Sequence, residues 1–335
     1  MAKQVPVSLV IPVGESSDQL QVLLCALASG QAWPQEILIV CASSESKVFV
    51  DDLQILISEL PPLFASGIRL LTPGRPLFPG AARNVGISQS NFDWLAFLDV
   101  NTVPSESWLA SAYESADVQL KPIVCGTTRY MHSSWKQLLF IKATYGQRPL
   151  RTLPGTLIHR SILNQVGCFL PNIRAGEDTD WFVRAHQLGF KLSQVQGSFL
   201  AYRAVPNTFR ALTAKWFRNY RSCAPVVFHL ETQKTIYVVT ANCFILYVVF
   251  RWNELVAGWQ ESNYLYVDNI TKISIFLIIL MFFLIRGLVL PVRRGSSLVE
   301  LLPFQWLTIG VISFVLDMSK LAAFMLPPWR NRNIL

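Results

Sequence analysis

The sequence is short of charge and has no paired cysteines. Asp, Glu, Lys and Arg make up 15% of its 335 residues, against about 25% in an average soluble domain. Cys25, Cys41, Cys125, Cys168, Cys223 and Cys243 are scattered, none in a Cys-x-x-Cys pair, and several sit inside apolar runs. That pattern excludes a zinc ribbon or a disulfide framework and fits small buried residues in a reducing compartment. No basic region followed by an apolar core opens the chain, so no cleaved signal peptide is visible and the N-terminal part is expected to stay cytoplasmic. Internal repeats and low-complexity stretches are also missing. The net charge is +8, yet the basic residues form no dense stripe interleaved with aromatics. This argues against nucleic acid as a partner and for the surface of anionic membrane lipids.

What is present is unevenly placed. The chain is 52% hydrophobic with a mean hydropathy of +0.36, and the apolar excess lies after about Thr235. Before that point, short apolar runs alternate with helical periodicity. Residues 7–13, VSLVIPV, read as a buried strand stopped by proline and Gly14. Leu20, Leu23, Leu24 and Leu27 have helical spacing, and Trp33-Pro34 ends that helix. Residues 36–41 and 68–71 read as strands, 47–60 and 80–88 as helices, and 93–98 as a fourth strand. Alternation of this kind implies parallel βαβ units and a doubly wound α/β sheet. Further on, 104–118 reads as a helix and 122–126 as a strand. Residues 152–169 read as a Gly155-Thr156 turn, a short strand and a helix. Residues 177–188 form a helix opened by acids, which suit the positive end of its dipole, and 191–201 return to the sheet.

The centre of this part is 79–104, PGAARNVGISQSNFDWLAFLDVNTVP. Its strand ends in Asp99 and Asn101. Ligands of open α/β sheets bind beyond the carboxyl ends of the strands, so these oxygens point to a ligand, a metal or a diphosphate.

From Phe209 the texture changes. Arg210, Lys215, Arg218 and Arg221 lie among Phe209, Leu212, Trp216, Phe217 and Tyr220, as in a basic amphipathic helix at a membrane interface; a solvated helix is the alternative. Apolar stretches follow at 235–252, 270–290 and 301–326, and about 20 such residues cross a bilayer. The third contains Asp317 and Lys320, spaced to pair on one helix face, either as a functional intramembrane pair or as charges turned inward. Arg293 and Arg294 favour a cytoplasmic loop, the acidic loop 253–269 fits the outside, and Arg330 and Arg332 in the tail conflict with three full spans. The expected division is therefore 1–208, a catalytic or binding domain; 209–232, an interfacial helix; and 233–335, a region of two or three transmembrane helices.

Four segments in order resemble one family: VSLVIPVGE, GAARNVGI with FLDVNTVP, TLPGTLIHRSILNQVGCF, and GEDTDWFVRAHQLGFKL. Together they are similar to the inverting, GT-A-fold glycosyltransferases of family 2, over roughly the first 220 residues. The resemblance implies a GT-A-type doubly wound mixed sheet with a Rossmann-like nucleotide-binding half, followed by the helical membrane region. It implies Asp178 as the base that deprotonates the acceptor hydroxyl, with Glu177 supporting it and Asp180 structural. The implied nucleotide-sugar contacts are Pro12, Glu15, Ser43, Arg83, Asp99, Gly155 and Arg203. Asp99 and Asn101 would hold a divalent cation, Mg2+ or Mn2+. Arg210, Lys215, Trp216, Arg218 and Arg221 would face the acceptor or the membrane.

The chain departs from the family pattern in four places. Asn101 stands where the family has the main carboxylate ligand, and an amide is a weaker ligand for a hard cation. Arg203 aligns with a histidine that helps hold metal or diphosphate, and its fixed charge is expected to supply what the metal site lacks. Val40-Cys41-Ala42-Ser43-Ser44 lacks the base-binding acid. The processive QxxRW signature is missing, since the interfacial sequence reads Lys215-Trp216-Phe217-Arg218-Asn219-Tyr220-Arg221. The expected activity is transfer of one sugar from a nucleotide-sugar donor to a lipid-linked or membrane-proximal acceptor, at the cytoplasmic face of the plasma or inner membrane. The alternative is a catalytically silent scaffold of a polysaccharide or glycolipid assembly.

Overall fold

The computed structural model describes residues 2–14, 17–42, 47–117, 120–195 and 199–325, without the side chains of 17, 47–50, 225–243 and 245. Glu15, Ser43, Ser44 and the tail arginines fall outside the described residues.

Among the described residues nine strands form one mixed sheet: β1 Lys3–Val13, β2 Ala32–Cys41, β3 Ile68–Leu71, β4 Trp94–Phe97, β5 Thr102–Pro104, β6 Ile123–Tyr130, β7 Leu150–His159, β8 Ser193–Gln194 and β9 Leu200–Tyr202. Their order is β3-β2-β1-β4-β7-β6-β9-β5, with β8 beside β6. The first four are parallel. β7 runs antiparallel to both β4 and β6, and β5 is antiparallel to β9. The expected doubly wound mixed sheet is therefore present.

Alternation along β1 builds the core on both faces. Leu9 and Ile11 pack with Leu20, Leu23 and Leu24 of α1 (Ser17–Ala28). On the opposite face Val10 meets Ala82 and Ile87, and Trp181 joins the same cluster. Helices α2 (Lys47–Ser58) and α3 (Pro62–Ala65) complete the first face. Burying each such aliphatic side chain contributes about 1.5–3 kcal/mol. On the second face α4 (Pro79–Gln89) lies very close to β1. A Cβ at Gly86 would come 2.3 Å from Val10 Cγ1, so only glycine lets this helix settle there.

Two local readings change. The helix expected from 104 begins later, as α5 (Trp108–Asp117), because Thr102–Pro104 form the edge strand β5. Pro104 lacks an N–H, and an edge strand tolerates that. The Gly155-Thr156 turn is replaced by an irregular, continuous β7. Val124 pairs with Leu157 but Gly126 with Thr152, and the extra residues are absorbed where Gly155 takes φ +85°.

Beyond β6 comes α6 (Trp135–Ala143), capped by Ser134 Oγ accepting from Gln137 N at 3.3 Å. Helices α7 (Arg160–Val166) and α8 (Glu177–Gln187) follow. Then α9 runs unbroken from Phe209 to Phe250, through the expected boundary at 232. The first expected span, 235–252, falls largely where side chains lie outside the description. After α10 (Trp252–Ala257), α11 (Ile270–Phe283) continues through a π-helical turn into α12 (Leu290–Arg293), and α13 (Leu298–Leu301) leads to α14 (Gln305–Met325). Residues 270–293 and 305–325 are long and apolar enough to cross a membrane.

Asp317 pairs with Arg286 at 2.8 Å rather than with Lys320. Pairing across the facing helices offsets two opposite charges, each of which would be costly alone in lipid. The Lys320 ammonium sits 4.7 Å from the Tyr220 ring centroid instead. A third core joins these helices to the sheet domain: Leu139, Phe140 and Ile141 of α6, Leu212 of α9, and Ile309, Ile312 and Leu316 of α14. Next to it, Gln147 N and Arg148 N both donate to Arg294 O at 2.9 Å. Buried Lys142 pairs with Glu300 at 2.8 Å and donates to Gln305 Oε1 at 3.2 Å.

Candidate active site

A cavity of about 720 Å³ opens beyond the carboxyl ends of β1, β2 and β4. Its lining includes Pro12, Gly14, Ala42 and Pro76 from the first strand ends and the loop ahead of α4, Asp99 and Asn101 after β4, and Arg174, Glu177, Asp178, Tyr202, Arg218 and Asn219 from later in the chain. The strand ends thus hold the ligand-facing groups, as open α/β sheets require.

Arg83 is the pivot. It sits on α4, 3% exposed. Its Nη1 donates to Glu177 Oε1 at 2.6 Å and its Nη2 to Asp99 Oδ1 at 2.7 Å. Local structure brings these groups together. Asn84, the next residue, clips the chain after α7 to α4: its Nδ2 donates to Phe169 O at 2.8 Å and its Oδ1 accepts from Phe169 N at 3.0 Å. That bond, with the Phe169 ring below Arg83, sets the approach to α8, whose first residue is Glu177. Burial alone would disfavour the Arg83 cation, but Asp99 and Glu177 outweigh it and raise the pKa. Burial holds the Glu177 carboxyl above the ordinary range and Asp178 adds to this, while Arg83 offsets part of it. Burial and Asp99 push the Tyr202 hydroxyl up to about 12, so it stays a donor at neutral pH.

Asp178 is half-buried in the first turn of α8, and its Oδ1 accepts from Thr179 N at 2.7 Å. The carboxylate suits the positive end of the helix. Asp180 turns away and pairs with Arg184 at 2.8 Å.

Of the sequence-expected residues, the cavity gathers Pro12, Arg83, Asp99, Asn101, Glu177, Asp178 and Arg218. Others stand apart. Gly155 lies within β7 and outside the lining, its carbonyl accepting from Trp108 Nε1 at 2.9 Å. Arg203 donates its backbone N–H to Asn101 O at 3.0 Å, but its exposed side chain is not among the lining groups. The cation beside Asp99 is Arg83. Lys215 reaches the wall indirectly, through Tyr202 Oη at 3.1 Å, and Trp216 packs on Tyr145 with ring centroids 5.6 Å apart. Arg210 and Arg221 also lie outside the lining. Arg174, Tyr202 and Asn219 are lining residues that sequence reasoning missed. Tyr202 was one position from the residue singled out.

Among the described residues no group of three His, Cys, Asp or Glu side chains could hold a metal. One Asp99 oxygen is engaged by Arg83, and Asn101 is neutral. Such a pair fits a hard cation only in the manner of Mg2+ sites that draw their other ligands from substrate phosphates and water.

The glycosyl transferase family 2 profile matches residues 8–175, half of the chain. Glycosyltransferase AglE of Haloferax volcanii is 25% identical over 225 residues, which is 63% of this chain and 71% of that protein. Among solved structures, the mannosyltransferase PcManGT from Pyrobaculum calidifontis, in complex with GDP-Man and Mn2+, is 11% identical with a TM-score of 0.57, covering 95% of this chain and 86% of that one. S. aureus TarS 1–349 in complex with UDP-GlcNAc is 11% identical with a TM-score of 0.49, covering 96% and 89%. The chain belongs to glycosyl transferase family 2 and is a glycosyltransferase of the GT-A fold.

Proposed function

We propose that the protein transfers one sugar, with inversion, from a nucleotide-sugar donor to a lipid-linked or membrane-proximal acceptor. The observation that carries this reading is Asp178, lining the cavity beside the fixed array Glu177–Arg83–Asp99. The nucleoside lies along Pro12, Gly14, Ala42 and Pro76, and the diphosphate reaches Asp99 and Asn101. The acceptor oxygen forms a bond to the anomeric carbon as the carbon–phosphate oxygen bond opposite breaks. Asp178 takes the hydroxyl proton, and the electron pair leaves with the diphosphate. Arg83 keeps Glu177 and Asp99 in place, so the base is aimed before substrate arrives.

Asp99 and Asn101 would hold a divalent cation, Mg2+ or Mn2+, together with the diphosphate, and that cation would stabilise the departing charge. Residues 270–293 and 305–325 anchor the enzyme in the plasma or inner membrane, with the sheet domain on the cytoplasmic face. The test is a screen of the purified full-length protein against nucleotide sugars, scored by release of nucleoside diphosphate. The reading requires one donor to be consumed, and Asp178→Asn to abolish consumption while nucleotide binding persists. Equal turnover by the variant overturns it.

A further inference from the structure

The cavity lining carries both signs of charge. Its acids are Asp99, Glu177 and Asp178, the first two paired with Arg83. Arg174, from the loop ahead of α8, and Arg218, from α9, line it as well. Among the described residues no carboxylate pairs with either guanidinium. The two are close enough to repel: burial first, and then Arg218, lower the pKa of Arg174.

The fold nevertheless fastens them together. Arg174 N donates to Ser222 Oγ at 2.6 Å. Gly176 lies so near α9 that a Cβ there would stand 3.0 Å from Cys223 Cβ. The loop carrying Arg174 is therefore docked on the helix carrying Arg218, one turn further along. Two like charges fixed around open cavity space are unfavourable until an anion enters, and paired guanidinium groups match phosphate geometry. Asn219 lines the same cavity.

The position says what kind of anion. Tyr220, two residues from Arg218, meets Phe324 of α14 with ring centroids 5.8 Å apart, and Lys320 of α14 lies over the same tyrosine. Arg218 thus lies on the stretch of α9 that packs against a helix apolar enough to enter a membrane, whereas Pro12 and Ala42 line the cavity from the tips of β1 and β2. We infer that Arg174 and Arg218 bind a phosphate group carried by a membrane amphiphile, which is the sugar acceptor. The identification as acceptor rests on the transfer reaction proposed above.

The test uses the full-length protein in detergent, with octyl phosphate, octanol, inorganic phosphate, UDP and GDP as probes in titration calorimetry. Octyl phosphate binds saturably and octanol does not. Inorganic phosphate binds more weakly than octyl phosphate. The double variant Arg174→Gln/Arg218→Gln weakens octyl phosphate by at least about tenfold, the loss expected for charge-assisted contacts, and leaves the nucleotide that the wild type binds unaffected. Asp178→Asn keeps octyl phosphate binding while losing transfer. The inference is overturned if the double variant binds octyl phosphate as the wild type does, or if nucleotide binding falls in parallel, which assigns the arginines to the donor. It is also overturned if inorganic phosphate binds as tightly as octyl phosphate. Octyl phosphate bound through the arginines, with no nucleotide sugar consumed, sustains the phosphate site and removes the transfer reading.

Discussion

Arg83 Nη1 stands 2.6 Å from Glu177 Oε1, joining the helix before the central strand to the first residue of the helix that carries the proposed base. Both side chains are buried, and the same guanidinium holds Asp99. Removing one partner of a buried pair costs about 3–5 kcal/mol, because the other charge is left uncompensated. Arg83→Gln is therefore expected to lower stability by that amount, read as a fall in thermal midpoint. Arg83→Lys cannot span both carboxylates and should recover only part.

Glu36 supplies a pH dependence of known sign. Its buried carboxylate accepts from Ser8 Oγ at 2.5 Å, Asn91 Nδ2 at 2.6 Å and Asn91 N at 2.9 Å, and it pairs with Arg69. Burial raises its pKa, but these bonds prevail and the net pKa lies below 4.5. A depressed folded-state pKa stabilises above the unfolded value and ceases to do so as pH falls through the folded one. Glu36→Gln should therefore lose about 2–3 kcal/mol at neutral pH, and the gap to wild type should close below about pH 4.5. Denaturant midpoints across pH measure it; a gap that widens in acid contradicts it.

Lys142 and Glu300 tie α6 to the helices near the C-terminus. Lys142 is 1% exposed and Glu300 largely open. Glu300→Ala leaves a buried ammonium with Gln305 as its remaining partner, and should cost about 1–3 kcal/mol. Lys142→Met keeps the stem and removes the charge, so it should be near neutral or stabilising. Unfolding in detergent distinguishes the two, and equal losses would refute the assignment.

Asn101 sets the expected cation dependence. Asn101→Asp should lower the Mn2+ concentration for half-maximal turnover by about tenfold, since a carboxylate is the stronger ligand. Arg203→Ala should change turnover little, because its side chain stands outside the cavity lining. A collapse of activity in Arg203→Ala would return that residue to the site.

The readable parts of the sequence were those with local cause. β1, β2 and β4 are dense apolar runs, and Asp99 and Asp178 sit at strand and helix ends where chemistry concentrates. β5 escaped because three residues with a proline form a strand only by pairing with β9, a hundred positions later. α6 escaped because its apolar side is defined by contact with α14. Arg203 was singled out in place of Tyr202 because no sequence pattern says where β9 ends. Arg174 carries no local signal; it becomes legible only once Ser222 fixes its loop to α9.

The most direct measurement is nucleotide-sugar turnover by the purified full-length protein and its Asp178→Asn variant, with nucleotide affinity measured in parallel. Removal of a general base is expected to slow transfer by about 10²–10⁴-fold with nucleotide affinity unchanged. Wild-type turnover in Asp178→Asn would contradict the assignment of this carboxylate as the base.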